Sequence, residues 1–314
     1  MKFFLRINKI VANNKICCFF IYYYYCFRNK YIDYFDYIKI SKNFPIFSIS
    51  SQPGIIGNKC YGNVRAVKNK LKNTFDKKCM IEHGLYFGER VIEEECTMKN
   101  IITIYTYGQY RSKAIRNHIK KLDKKIVTVG PYILYADNFH NPNKLFQIKK
   151  KYGRILLAFL SHPFPDITIS YDENLFLTEI ERIASDFDTV FISLHWIDIR
   201  NTMYKKYESK GYKVVCSGTR SDPYFLNRLK DLIELSDMTM SNDLGTHIGY
   251  CIALNKPHYL YKQFIYSQGH SCENSDSFHK KRVEEKEIFY KLFGEYKEEI
   301  TDEQRNIIEY YWGR

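Results

Sequence analysis

Residues 213–261 read KVVCSGTRSDPYFLNRLKDLIELSDMTMSNDLGTHIGYCIALNKPHYLY. The apolar run Tyr212–Cys216 is a strand that ends in Ser217-Gly218-Thr219-Arg220. Asp222-Pro223 then supplies an N-cap and a first helical residue, and Phe225, Leu229, Leu232 and Ile233 mark one helical face. Met238–Met240 carries a short strand into Ser241-Asn242-Asp243. After Gly245-Thr246 a compact helix runs until Asn255 and Pro257 stop it, and HYLY from His258 gives another strand. Strand, turn and helix repeated in this way predict βαβ units around a parallel sheet.

The same rhythm extends towards the N-terminus. Ile155–Leu160 (ILLAFL) reads as a buried strand ending in Ser161-His162-Pro163. A helix with Phe176, Ile180, Ile183 and Phe187 on its apolar face follows, and Thr189–Leu194 (TVFISL) is a strand ending in His195-Trp196. Earlier still come strand candidates at Cys79–Glu82, Ile101–Tyr105 and Ile126–Val129. The helix from Arg111 to Leu122 has Ile115, His118, Ile119 and Leu122 on one face. Asp137–Gly153 is polar, rich in Asn and Lys, and reads as the link between two halves. The expected fold is therefore α/β, with two Rossmann-like domains facing across a cleft. Residues 1–145 form the first domain, whose residues 1–54 are atypical and aromatic-rich. Residues 146–282 form the second, and 283–314 a helical tail.

Of the 314 residues, 45% are hydrophobic, enough for a packed core. The formal net charge of +13 favours anionic partners. The basic residues are scattered, and neither zinc-finger spacing nor an RRM signature occurs, so nucleic acid is not an expected partner. Nine cysteines form no CxxC pair. Cys17, Cys18, Cys26, Cys216 and Cys251 lie in apolar runs, which suits reduced, buried thiols and a cytoplasmic location. The run ICCFFIYYYYCF, Ile16–Phe27, is too short to span a bilayer, which takes about 20 apolar residues. It reads first as a buried strand or helix, and otherwise as an interfacial segment resting against an anionic membrane at its inner face.

Ligands of open α/β sheets bind beyond the carboxyl ends of the strands, and the unusual residues of this chain fall there. Gly245-Thr246-His247, opening a helix, is a phosphate-site candidate, because its first amides and the helix dipole favour an anion. Arg220 in Gly218-Thr219-Arg220 has the paired donors to clamp a phosphate. His83, between Glu82 and Gly84, is positioned as a general base, as is Glu82 unless it is buried and paired. Asp186-Phe187-Asp188 mimics a metal-binding DxD but precedes a strand, and His162 and His195 lack ligand spacing, so no metal is expected.

The runs Ser217–Asp237 and Ser241–Tyr261 resemble the nucleotide-sugar half of bacterial GT-B glycosyltransferases of capsule and lipopolysaccharide assembly. IEHGLYFG (Ile81–Gly88) and VTVGPYILYA (Val127–Ala136) resemble their acceptor-side half. The similarity covers Tyr61 to Pro257, with a weaker echo in Glu309–Gly313. The resemblance implies transfer of a sugar from a nucleotide-sugar donor to a hydroxyl of a glycan or lipid-linked glycan acceptor. It implies a donor site built from Gly218, Thr219, Arg220, Ser241, Asn242, Gly245, Thr246 and His247. His83, with Glu82, would act as catalytic base, and Gly84, Gly130, His162 and His195 would line the cleft. Neither a cofactor nor a metal is implied, the nucleotide sugar being a substrate. Alternatives of the same architecture are a sugar-nucleotide epimerase, which needs carboxylates and histidines along the cleft, and a polyol-phosphate transferase. A non-catalytic glycan- or membrane-binding protein is the alternative outside enzymology.

Overall fold

The computed structural model describes all residues except 1–6, 9, 44–52, 120–122, 164–166 and 270–275. Its first lobe holds three parallel strands in the order β1 (Cys79–Ile81), β2 (Thr103–Thr106), β3 (Lys125–Thr128). Its second holds five parallel strands, β4 (Ile155–Phe159), β6 (Thr189–Ser193), β7 (Lys213–Val215), β8 (Met238–Ser241) and β9 (His258–Leu260). Their spatial order is β7-β6-β4-β8-β9. The chain starts in the middle at β4, builds outward through β6 and β7, then crosses back to β8 on the other side. The direction of winding thus reverses between β4 and β8, the switch point at which doubly wound sheets open a ligand crevice. The α/β class with two Rossmann-like lobes is what the sequence predicts.

The helices are α1 (Lys15–Asn29), α2 (Tyr37–Lys42), α3 (Asn63–Leu71), α4 (Glu93–Cys96), α5 (Gln109–His118) and α6 (Pro142–Tyr152). They continue with α7 (Glu173–Ala184), α8 (Trp196–Arg200), α9 (Tyr204–Glu208), α10 (Phe225–Leu235) and α11 (Thr246–Ala253). The chain ends in α12 (Asp276–Phe293) and α13 (Asp302–Trp312). β4 is buried along its whole length, as a central parallel strand covered on both faces must be. One hydrophobic core runs through both lobes, joining Ile81 and Tyr107 of the first to Leu232 and Ile248 of the second. The Tyr107 and Tyr250 hydroxyls bond across the junction at 2.9 Å. Helix α13 seals it: the Trp312 indole lies so close over Gly249 that a Cβ there would sit 2.2 Å from the ring. Trp312 Nε1 also donates to the Thr246 carbonyl at 3.1 Å.

Four local expectations change. Residues 137–153 are not an irregular link, because Asn141 caps helix α6 with Pro142 behind it. Leu145, Ile148 and Tyr152, at i, i+3 and i+7, face the core between its lysines. Helix α5 ends at His118, which is exposed; Ile115 and Ile119 of the expected face are buried, joined by Tyr110, Arg111 and Ala114, and Leu122 lies outside the described residues. Asp222 caps a turn rather than α10, accepting from the Tyr224 amide while its other oxygen pairs with Arg228, so the helix starts at Phe225. The aromatic run near the N-terminus is helix α1, and only one of its faces is buried. That face meets Thr219 of the second lobe through Tyr25 and Lys59 of the first through Tyr22. The helix end and the segment after it are tied to the second lobe: Arg228 donates to the Asn29 and Ile32 carbonyls, and the Cys216 amide to the Tyr34 carbonyl.

An antiparallel ribbon, β5 (Ile167–Tyr171) with β10 (Ile265–Gly269), has no counterpart in the strand pattern of the sequence. It is formed from the segments that follow β4 and β9 in the chain.

Candidate functional site

Four neighbouring strands of the second lobe end in polar residues, namely Ser217 after β7, His195 after β6, Ser161 after β4 and Asn242 after β8. Each keeps a buried side-chain atom without a hydrogen-bond partner among the described residues: Ser217 Oγ, His195 Nδ1, Ser161 Oγ and Asn242 Nδ2. His247 Nε2, in the first turn of α11, is a fifth. Buried polar groups are nearly always paired, because an unmet one loses water and gains nothing. Five along one edge therefore call for an explanation. Three interstrand steps of about 4.8 Å separate the first strand of the four from the last, so the row spans roughly 14 Å. Asp198 Oδ2 at the start of α8 is also without a partner among the described residues, and Tyr171 Oη of the ribbon lies against the Asn242 side chain. Both belong to this neighbourhood, since the charge of Asp198 acts on the Tyr171 phenol, which in turn lies beside Asn242.

The histidines of this edge are neutral at physiological pH. Burial, reinforced by His162, holds His195 down to about 2. The two rings stack with centroids 4.0 Å apart. Burial likewise lowers His162 and takes His247 to about 4. His258, the first residue of β9, is buried and bonded at Nδ1 by Thr239 and at Nε2 by Ser241. The cluster thus offers a ligand neutral donors and acceptors rather than positive charge.

Charge enters from Arg220. Its side chain is exposed and makes no ion pair among the described residues. Its carbonyl accepts from the Tyr61 amide of the first lobe at 2.8 Å. Opposite lies His83, which burial takes down to about 4 with help from the Arg220 charge. The Tyr86 hydroxyl is 3.1 Å from His83 Nδ1, and the Tyr61 ring stacks on the imidazole. Beside them is Glu95 of α4, which burial and the Glu82 charge lift to about 7, while Arg220 pulls the other way. The Leu85 amide donates to Thr246 Oγ1 at 3.0 Å, and a Cβ on Gly84 would stand 3.4 Å from the same oxygen. His83-Gly84-Leu85 therefore abuts the start of α11.

The sequence-predicted residues divide into those that face this cleft and those that support it. Arg220, His83, Gly84, Asn242, Gly245, Thr246, His247, His162 and His195 gather around the second-lobe edge and the first-lobe loop opposite. Thr246 is half-buried with its hydroxyl engaged, so what it offers an anion is the first-turn backbone. Glu82 is placed elsewhere. It is buried and doubly paired with Arg111, through Nη2 at 2.6 Å and Nε at 3.1 Å, and Thr106 donates to it as well. Its lone pairs are used up inside the first lobe. Thr219 is buried behind its loop against the Tyr25 hydroxyl, at 3.3 Å. Gly218 adopts φ +131°, where Asp222 packs against it. Ser241 is satisfied by His258 and the Asp243 carbonyl. Gly130 lies off the cleft: its φ of +95° lets the Arg314 carbonyl approach to where a side chain would be.

Glu95, Asp198 and Tyr171 were not singled out by the sequence. Glu95 is one of three consecutive glutamates, and nothing local separates it from Glu93 and Glu94, which are exposed. Asp186 and Asp188 lie at the opposite edge, where Asp188 accepts from the Arg154 amide. A groove of about 300 Å³ lined by Phe35, Tyr152, Glu208 and Lys213 opens at that edge too, away from the polar row. Among the described residues, no group of three or more His, Cys, Asp or Glu side chains is placed to hold a metal ion.

No family model and no curated protein matches the chain. Among solved structures, the chain is similar to UDP-GlcNAc 2-epimerase from Methanocaldococcus jannaschii in complex with UDP-GlcNAc and UDP. Identity is 13% over 88% of this chain and 86% of that one, with a TM-score of 0.40. A second structure of the enzyme from the same organism gives 13% identity, 72% of each chain and a TM-score of 0.34. At these scores the likeness carries no argument about what the chain does, and the functional reading rests on the geometry above.

Proposed function

We propose that the cleft binds a nucleotide sugar and that the protein transfers its glycosyl group to a hydroxyl acceptor. The observation that carries this is the row of unpartnered polar atoms at the switch point of the second sheet, with a guanidinium at one end and the start of a helix beside it. A row of roughly 14 Å suits a nucleoside diphosphate rather than a single small anion. In this reading the diphosphate lies between Arg220 and the first amides of α11. As the glycosidic bond breaks, negative charge grows on the leaving phosphate, and these fixed donors stabilise it more than they stabilise the ground state. Glu95 is better matched than His83 to take the acceptor proton, because a base titrating near 7 is both ionised and basic at working pH. Neutral His83 accepts or donates a hydrogen bond beside it. No large closing motion is required, since the core shared by the two lobes already fixes their spacing.

A second reading, a sugar-nucleotide epimerase, is favoured by the presence of both His83 and Glu95 near Arg220 on the first-lobe side and by the histidines along the edge. The capsule or lipopolysaccharide acceptor belongs to the first reading.

The donor site is tested by calorimetry with nucleoside diphosphates. Arg220→Ala is expected to weaken binding by roughly ten- to a hundredfold, the loss of a charge-assisted hydrogen bond. Equal affinity in both proteins removes Arg220 from the site. Nuclear magnetic resonance of a nucleotide sugar incubated with the enzyme separates the two readings: an epimerised nucleotide sugar formed without acceptor replaces the transferase. With a base titrating near 7, kcat/KM rises with pH through that value and levels off, and Glu95→Gln abolishes the rise.

A further inference from the structure

Helix α1 is apolar all the way round, yet the protein covers only half of it. Cys18, Tyr25 and Asn29 are buried, Tyr25 and Asn29 against Thr219 and Arg228 of the second lobe, with Ile21, Tyr22 and Cys26 partly buried. The outward face presents Ile16, Phe20, Tyr23, Tyr24 and Phe27, continued by Tyr31 just beyond the helix end, each more than half exposed. Their spacing, i, i+4, i+7, i+8, i+11 and i+15, makes one continuous stripe. Phe19 lies on the side of it, its ring tilted against that of Tyr23 with centroids 4.4 Å apart. A helix with this composition is normally buried on every side, so an unpartnered aromatic stripe of four turns marks an interaction surface.

We infer that this face docks the protein on an anionic lipid surface, an interaction that stands independently of the reaction proposed above. The charge pattern points to that occupant. The first 32 residues contain Lys2, Arg6, Lys9, Lys15, Arg28 and Lys30 and not one Asp or Glu. Lys15, Arg28 and Lys30 are exposed at the two ends of the stripe, and Arg28 and Lys30 lie over the rings of Tyr24 and Tyr31. A second copy packed on the same face brings like charges together, because a two-fold interface sets each patch against itself. Anionic headgroups neutralise them. Tyrosine suits the same boundary, with its ring among the acyl chains and its hydroxyl among the headgroups. The helix lies in the surface rather than crossing it: fifteen residues extend about 22 Å, short of a bilayer core. Among the described residues no helix is long and apolar enough to span.

Co-sedimentation of the full chain with vesicles tests this. Binding is expected to vesicles of phosphatidylcholine with one-third phosphatidylglycerol, to be reduced by high salt, and to be much weaker on phosphatidylcholine alone. Phe20→Ser, Tyr24→Ser and Phe27→Ser combined are expected to lower partitioning by about tenfold or more. Lys15→Gln, Arg28→Gln and Lys30→Gln combined are expected to remove the preference for anionic lipid. All six side chains are exposed, so circular dichroism and Tm should be unchanged. A Tyr24→Trp reporter in the otherwise unaltered chain keeps the test open if a triple variant misfolds, and its emission should shift to the blue on anionic vesicles. Wild-type protein that stays in the supernatant with no spectral shift overturns the inference. So does a dimer in sedimentation velocity that the apolar triple variant breaks while no vesicle binding is seen.

Discussion

At the carboxyl edge of the first sheet, Glu82 gives its oxygens to Arg111 and Thr106, and Tyr107 bonds Tyr250. At the same edge of the second sheet, Ser161, His195, Ser217 and Asn242 each keep an unpartnered atom. The two edges are built from the same class of turn after the same class of strand, yet one has spent its polar groups on architecture and the other has kept them. Burial cost explains the contrast. A lone carboxylate inside the first lobe is intolerable without a cation, whereas a neutral hydroxyl or imidazole left unpaired costs far less and can persist where a ligand meets it. The first lobe therefore contributes little to binding through Glu82, and its chemistry falls to the loop residues His83 and Glu95.

Arg111→Ala is the substitution expected to break the first edge. It strands Glu82 at 3% exposure without its cation, and removal of one partner from a buried pair costs roughly 3–5 kcal/mol. Urea unfolding measures it directly. A loss near zero would mean that Glu82 relaxes into the cleft, which would return it to the list of bases.

Much of this contrast was legible in the sequence, but not its outcome. Strand ends, glycine turns and apolar runs place β4, β6, β8 and β9 correctly, because buried parallel strands leave an unmistakable hydrophobic signature. His83, Arg220, Asn242 and His247 were legible as candidates because they sit just beyond those strands. Which of them are engaged was not, since Arg111 lies 29 residues from Glu82 and Tyr25 lies 194 from Thr219. Long-range pairing leaves no local trace. Glu95 was invisible for a related reason: its raised pKa comes from burial beside Glu82, which only the folded chain supplies. Helix α6 was hidden by its lysines, which outnumber the three core contacts that fix it.

Asp198 gives a smaller, pH-dependent test of the second edge. Burial first, and then the Glu173 charge, lift its carboxyl to about 7, against an opposing hydrogen bond from the His195 amide. In the unfolded chain the group titrates near 3.9. Between about pH 4 and pH 7 the native state therefore holds a proton that the unfolded state has released, and stability falls as pH rises, by up to about 1.4 kcal/mol per unit. Asp198→Asn removes the ionisation while keeping the shape. Wild type and variant are expected to be close at pH 4, with the variant increasingly more stable up to pH 7 and the gap constant above. Thermal unfolding across that range decides it. Parallel curves would place Asp198 in contact with solvent and remove it from the polar edge.

Ser217→Ala is the mildest change and the sharpest on the comparison itself. Ser217 is buried, but its hydroxyl has no partner among the described residues to lose, so stability should stay within about 0.5 kcal/mol of wild type. If that hydroxyl is reserved for a ligand, nucleoside diphosphate affinity should fall by a few-fold to about tenfold, the net worth of one hydrogen bond. Unfolding and calorimetry on the same preparation separate the two roles. A stability loss with unchanged affinity would show that this serine serves the protein as Glu82 does, and the two edges would then differ less than their hydrogen bonds suggest.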